Sequence, residues 1–460
     1  MDEMHRFTDE TDALARAIVA YARNRIASPQ PLDGSATGEE LTRRAGETVT
    51  AGGIGGEEAL RVWSEVLAPA TISTDHPSSM AFVPGAPTKA AVLFDLVVGS
   101  SSTIAAGWID GAGAIWAENQ ALRWLADLAG YPREAGGTFV SGGSAGNLSA
   151  LVAARARAAD RLGTRPETGW KIAVAESVHS SVATAARVID AGVVNVPGDE
   201  RGRLTGDALA STLAGLGPDE AASVFAVVAS AGATNAGTID DLEGIAETCS
   251  DRELWFHVDG AYGGAGLAAP SVRDRYRGIE RADSFIVDPH KWLFAPYDSC
   301  ALVYRDPTTA YGVFRQEAGY LDTVNEPGVS WSEWNPADYA YHLSRRARGL
   351  PLWFSLATYG TDAYRDAVER VLALTLETAD EIRSRGELQL VMDPELSVVL
   401  FRRRGWAAAD YETWWRRLLD AQVAFVQPTS WKGERLARLC FVNPRTTIEH
   451  VRAVLDAMTP

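Results

Sequence analysis

Lysine is scarce in this chain, and cysteine and histidine are few. Four lysines (Lys89, Lys171, Lys291, Lys432) stand against 39 arginines in 460 residues. Arginine thus serves wherever a fixed positive charge is enough. A lysine in an apolar stretch calls for something arginine cannot offer, an amine that can lose its proton and act as a nucleophile. The three cysteines, Cys249, Cys300 and Cys440, lie far apart and form no CxxC pair. They staple nothing, build no zinc site and suit a reducing compartment. The seven histidines show no HxH or HExxH spacing, so no metal constellation is expected. No apolar run reaches the ~18 residues of a membrane span, and the best stretch, 90–98, is broken by Asp95. The acidic opening MDEMHRFTDETDALARAIVAYARNRI lacks the basic-then-apolar order of a secretory signal. Positive charge is short overall, with a net charge of −17, which disfavours nucleic acid and anionic membranes as partners. These absences point to a soluble cytoplasmic protein, and the preference for Arg and Ala over Lys to a GC-rich bacterial source.

What is present is ordinary globular material, 46% hydrophobic and 22% charged, in a chain long enough to bury a large core. Helical spacing occupies 9–27, with a short stretch at 38–45. A Gly-rich joint around 52–56 has no Gly-Lys-Ser/Thr to make it a phosphate loop. Helices are expected at 57–67, 87–98 and 112–129. From there short β-rich runs (138–140, 171–175, 224–229, 254–258, 284–287 and 299–304) alternate with helical ones (145–162, 180–190, 206–215, 239–250). That alternation argues a mainly parallel sheet covered on both faces. A long helix at 360–386 after a Pro-Gly-rich loop leads to a βαβα tail (395–402, 411–424, 437–442, 446–458). The expected division is an N-terminal helical segment (1–75), a large domain (76–350) and a small C-terminal α+β domain (351–460).

Ligands of open parallel sheets bind beyond the carboxyl ends of the strands, so the residues after each strand matter most. After 138–140 comes Ser141-Gly142-Gly143-Ser144 at a helix start, where bare N–H groups suit a phosphate; Gly-rich turns are also common there for packing reasons alone. After 171–175 comes His179, beside a helix start where a cap is the plainer role. Ser230-Ala231-Gly232 follows 224–229. Asp259 follows 254–258 and opens into Gly260, Ala261, Gly263 and Gly264, small residues that leave room for something flat; a helix N-cap is its alternative. After 284–287 comes Asp288-Pro289-His290-Lys291-Trp292, which sets the anomalous lysine in an apolar run. Desolvation there is expected to lower its pKa and free the amine for Schiff-base chemistry. Together these parts describe a pyridoxal-phosphate site: lysine for the aldehyde, carboxylate for the pyridine nitrogen, a Gly-Ser turn for the phosphate and an imidazole on the ring.

At these residues the chain resembles the pyridoxal-phosphate-dependent group II decarboxylases, the family of aromatic-L-amino-acid decarboxylase and glutamate decarboxylase. DSFIVDPHKWLFAPYDSCALVYRD (283–306) and WFHVDGAYGG (255–264) carry the strongest likeness. GTFVSGGSAGNLSALVAARARA (137–158), AESVHSSVATAARV (175–188) and SAGATNAGTIDDL (230–242) follow the family in the same order, with weaker likeness from about residue 60 to the end. The resemblance implies a fold-type-I, aspartate-aminotransferase-like architecture. That is a mainly parallel seven-stranded sheet with helices on both faces plus the small α+β domain, in a homodimer with active sites at the interface. It implies Lys291 as Schiff-base lysine, Asp259 as pyridine-nitrogen partner and His179 as the stacking imidazole. Gly143, Ser144 and the backbone of His290 would take the phosphate, and Ser230 and Ala261 would line the cofactor. Phe82, Pro84 and Trp108 would border the substrate. Tyr339, in the segment 319–346 that also holds Trp331 and Trp334, is the candidate proton donor, although it lies closer to Arg345-Arg346 than in aromatic decarboxylases. Asp288 stands where several relatives have Asn and receives no phosphate contact. The implied reaction is decarboxylation of an L-amino acid, with an aromatic or bulky apolar side chain favoured. Decarboxylation with oxidative deamination to an aldehyde, transamination and elimination remain alternatives on the same site.

Overall fold

The computed structural model describes residues 3–315 and 333–458. Seven strands make the large sheet: β1 (Gly136–Val140), β2 (Trp170–Ala175), β3 (Ala191–Val196), β4 (Val224–Ser230), β5 (Trp255–Asp259), β6 (Ser284–Val287) and β7 (Cys300–Tyr304). Their order is β1-β7-β6-β5-β4-β2-β3. Only β7 runs antiparallel, to β1 and β6. All other pairings are parallel, so the ends of β1, β2, β4, β5 and β6 open on one edge.

The central strands are buried along their whole length, as continuous apolar runs covered on both faces must be. Alternation splits each strand between two cores. Phe256, Val258, Phe285 and Val287 point into one. Trp255 and Ile286 point into the other, against Ala150, Ala154 and Ala158 of the helix Gly143–Leu162. The alanine-rich face of that helix lets it lie close on the sheet. At Gly146 an added Cβ would come within 2.7 Å of Ile286 Cγ2.

Several elements escaped the sequence reading. β3 is an edge strand with mixed burial, so it lacks the apolar run that marks its neighbours. The loop expected before the 360–386 helix is itself a helix, Leu350–Tyr359, followed by Thr361–Ser384. Pro351 lies in its first turn, where the missing N–H costs nothing. The C-terminal part forms an antiparallel sheet, β8 (Leu388–Leu390), β9 (Val398–Arg403), β10 (Thr429–Trp431) and β11 (Glu434–Cys440), in the order β10-β11-β9-β8. The three-residue strands β8 and β10 are too short to carry a periodic signal. Residues 78–80, which the sequence groups with the large domain, hydrogen-bond to the small one: Met80 N–H donates to Phe425 O at 2.8 Å and Cys440 N–H to Met80 O at 3.0 Å. No helix among the described residues is long and apolar enough to cross a membrane.

Candidate active site

A cavity of about 240 Å³ opens where the parallel strands end. Gly143, Ser144, His179, Ser230, Asp259, Ala261, His290 and Lys291, from five separate segments, all line it. Each arrives there for a local reason. Asp259 is the last residue of β5 and Ser230 the last of β4. Gly143 and Ser144 open a helix, whose first amides have no intrahelical partner. A Cβ on Gly143 would lie 3.2 Å from that of Ala261 and 3.3 Å from Asp288 Oδ2, so glycine lets the helix start sit against the cavity floor. His179 caps the next helix, its Nδ1 accepting from Ser181 N–H at 3.2 Å. The helix cap and the imidazole lining the cavity are therefore one side chain.

Lys291 is held by Asp288, with Nζ 2.8 Å from Oδ2. About a fifth of the lysine side chain is accessible, from the cavity, whereas Asp288 is buried. This corrects the expectation of a lowered lysine pKa. Burial does push the amine down, but the charge and hydrogen bond of Asp288, with Asp259 beyond, outweigh it and hold the amine above its ordinary value. Sequence reasoning set Asp288 aside, and the structure makes it the lysine's counter-ion. Its other oxygen, Oδ1, is buried and accepts no hydrogen bond among the described residues.

His290 is buried and leans on Tyr297, with ring centroids 4.6 Å apart. Its Nδ1 accepts from Ser299 N–H at 3.0 Å. Burial lowers its pKa, with Asp288 opposing. Its backbone N–H, expected to meet a phosphate, is directed at Ser299 O, 3.5 Å away.

Ser230 is fixed from behind by Asp240, which the sequence did not single out. The two carboxylate oxygens of Asp240 accept from Ser230 N–H (2.7 Å) and Leu204 N–H (2.8 Å). Burial pushes its carboxyl up to about 7, against the pull of these two amides and of Arg203. Asp240→Asn places an NH2 group where one amide now donates, and is expected to cost about 1–3 kcal/mol. Thermal unfolding of the two proteins checks this, and an unchanged midpoint contradicts it.

Four expected residues do not reach the cavity. Phe82 is 61% exposed, edge-on to Phe425. Pro84 is buried elsewhere, and Trp108 packs beside Val98, Ala105 and Ile115. Tyr339 is buried in the core behind the sheet, where Tyr304 Oη–H donates to its carbonyl and its ring faces Tyr311 and Trp334. Burial raises its pKa. Nothing in that placement lets it pass a proton to the cavity. Trp334 donates from Nε1 to Gly137 O at 3.0 Å, and Trp331 lies outside the described residues.

The donor set fits pyridoxal phosphate. The helix-start amides with Ser144, Ser230 and Thr234 suit an anion, Lys291 suits an aldehyde, and Asp259 suits a protonated ring nitrogen. Among the described residues no cluster of His, Cys, Asp and Glu could hold a metal ion.

Residues 58–404 match the family model described as the pyridoxal-dependent decarboxylase conserved domain. Over 436 residues the chain is 29% identical to an aromatic-L-amino-acid decarboxylase of Bacillus atrophaeus, covering 93% of this chain and 89% of the relative. It is 31% identical over 391 residues to an L-2,4-diaminobutyrate decarboxylase of Rhizobium meliloti, covering 83% and 77%. Among solved structures, Oryza sativa TDC with PLP and tryptamine superposes with a TM-score of 0.90 at 23% identity, covering 98% of this chain and 97% of that one.

Proposed function

We propose, from the premise that this chain belongs to the pyridoxal-dependent decarboxylase family, that it removes the carboxylate of an L-amino acid with an aromatic or bulky apolar side chain, releasing the amine and CO2. The observation that carries this reading is the convergence of Lys291, Asp259 and His179 on one cavity. Bound pyridoxal phosphate supplies an aldehyde that condenses with amines and a ring that accepts the electron pair left by CO2.

The protein's part is positional and electrostatic. Lys291 is the amine that anchors the cofactor, and Asp288 Oδ2, 2.8 Å from Nζ, is placed to take the proton it must lose. Asp259 would hold a proton on the ring nitrogen, an electrostatic contribution of the order of 3–4 kcal/mol by comparison with other preorganised groups. His179 would cover one face of the ring, and the turn at Gly143 and Ser144 would take the phosphate.

The wall charge favours a substrate without a second carboxylate. Asp259 and Asp288 face the cavity, and its one lysine is already paired. No arginine lines it among the described residues. An acidic side chain would meet two carboxylates and find no spare cation. The deciding experiment incubates the cofactor-loaded protein with a panel of L-amino acids: tryptophan, tyrosine, phenylalanine, histidine, glutamate and 2,4-diaminobutyrate. Mass spectrometry reads the amine, CO2, aldehyde and hydrogen peroxide. Amine and CO2 from an aromatic member are expected. Glutamate as the best substrate overturns the specificity, aldehyde with peroxide overturns the product, and no CO2 from any member overturns the reaction.

The same reading includes a homodimer with active sites at its interface. The helix Asp9–Ala27 buries none of its residues. The helix Lys89–Ser100 leaves Leu93, Leu96 and Val97 about half exposed or more, and Ile109 and Trp116 stand out nearby. Apolar patches of this kind are what a second subunit covers. Phe82 and Trp108 then serve the partner's cavity rather than their own. Sedimentation at micromolar concentration is expected to give twice the 49.3 kDa chain mass, and a monomer contradicts it.

A further inference from the structure

Behind the cavity runs a chain of hydrogen bonds that no requirement of packing explains. Alternation along β5 sets Trp255, His257 and Asp259 on one face, and β6 brings Ser284 beside His257. Asn147, one turn into the helix that starts at Gly143, reaches down between them. Trp255 Nε1–H donates to Ser284 Oγ at 2.9 Å, and Ser284 Oγ is 2.8 Å from His257 Nδ1. His257 Nε2 is 2.9 Å from Asn147 Oδ1. Asn147 Nδ2 donates to Asp259 Oδ2 at 2.9 Å and to Ser181 Oγ at 3.0 Å. Ser181 Oγ is 2.8 Å from His179 Nδ1. Asn147, His257 and Ser284 are all at most 1% exposed.

The directions follow from one end, the backbone amide of Ser181, which can only donate and lies 3.2 Å from His179 Nδ1. It makes Nδ1 an acceptor, so the Ser181 hydroxyl also donates there and must itself receive from Asn147. That sets Asn147 with Nδ2 toward Ser181 and Asp259 and with Oδ1 toward His257. His257 therefore carries its hydrogen on Nε2, and its Nδ1 accepts from the Ser284 hydroxyl, whose oxygen also receives from the Trp255 indole. Burial lowers the pKa of His257 to about 4, with Asp259 opposing, so the ring is neutral at ordinary pH, as a single N–H requires.

We propose that Asn147, with His257 and Ser181 on either side of it, is a positioning residue that acts through Asp259 and His179. It holds Asp259 as an acceptor toward the ring nitrogen and His179 as the neutral imidazole whose only hydrogen, on Nε2, is free of the relay. Ala261 N–H meets the other Asp259 oxygen at 3.1 Å, so the carboxylate cannot swing away. A flipped Asn147 would turn an oxygen on Asp259 and Ser181 and reverse both settings at once. One carboxamide thus couples the two groups that face the cofactor.

The inference rests on the pyridoxal-phosphate reading for its consequence in catalysis, but the hydrogen-bond directions do not. They are therefore tested separately. Nitrogen-15 NMR of histidine-labelled protein without cofactor, assigned with His179→Gln and His257→Gln, is expected to show hydrogen on Nε2 and none on Nδ1 of both rings. Hydrogen on Nδ1 of either ring overturns the relay whatever the enzyme does.

In the loaded enzyme, Asn147→Ala is expected to lower kcat about 10- to 100-fold, the range for groups that orient a functional side chain, with KM within about threefold. Loaded instead with 1-deaza-pyridoxal phosphate, which has carbon in place of the ring nitrogen, the loss in Asn147→Ala is expected to shrink by about threefold or more, because Asp259 then has no ring N–H to hold and only the share through His179 remains. An equal loss with both cofactors marks Asn147 as merely structural and overturns the proposal. Should Asn147→Ala not fold, Ser181→Ala tests the other arm. It removes the hydroxyl donor and leaves the amide, so His179 is expected to keep its hydrogen on Nε2 while its Nδ1 nitrogen-15 shift moves, with His257 unchanged, and an unmoved Nδ1 shift overturns that arm.

Discussion

Lys291→Ala is expected to abolish turnover, by about 10⁴-fold or more, as when a covalent catalytic group is lost from a site that works as a unit. Of four lysines, this one faces the cavity that also holds Asp259, His179 and the helix start at Gly143. Arginine could hold the same charge against Asp288 but cannot form the bond. Wild-type protein supplied with pyridoxal phosphate is expected to absorb visible light, and borohydride followed by peptide mapping to leave the cofactor on the peptide containing Lys291. The variant is expected to show neither, while keeping its fold. A colourless wild type, or a variant that keeps more than about a hundredth of the activity, defeats the assignment.

Glu118→Ala is expected to be the most destabilising single change outside the cavity. Glu118 is 1% exposed and Arg345 4%. The Arg345 guanidinium forks onto the carboxylate, Nη1 to Oε2 at 2.7 Å and Nη2 to Oε1 at 2.9 Å. Oε1 also accepts from Gly349 N–H at 2.7 Å, and Arg345 further donates to Ala105 O. This pair joins the helix Trp108–Leu128 to the stretch that leads into the helix Leu350–Tyr359. Removing one partner strands the other charge in the interior, a loss of about 3–5 kcal/mol, whereas replacing both by apolar residues of similar volume recovers much of it. Calorimetry of Glu118→Ala beside the Glu118→Leu, Arg345→Met double variant separates the two effects. If the single variant melts with the wild type, or the double variant is the worse of the two, the pair does not have this role.

The cavity residues and the buried pair were unequally legible. Asp259, His179 and Lys291 announce themselves because each breaks the pattern around it: an acid after an apolar strand, an imidazole at a helix start, a lysine among arginines. Asn147 had a signal that passed unused, since it lies four residues after Gly143 and so on the same helix face. His257 had one too, two residues before Asp259 on an alternating strand. Glu118 and Arg345 had none, because an acid in a helix and an arginine in a loop look like solvated charge until the fold brings them together. Phe82, Trp108 and Tyr339 are the opposite case: resemblance by position put them near the chemistry, and within one chain the fold puts them outside this cavity.

The order of strands and helices, the cofactor chemistry and the three groups that line the cavity were set by the sequence, because apolar period, turn residues and side-chain type are local properties that can be read one segment at a time. The tertiary structure alone decided that Asp288 rather than desolvation governs the lysine, that Asp240 steadies Ser230, and which way the carboxamide of Asn147 faces. Each of these depends on distances of about three ångströms between residues tens to hundreds of positions apart or on the far side of a turn. Such distances are fixed only when the two cores close around the sheet.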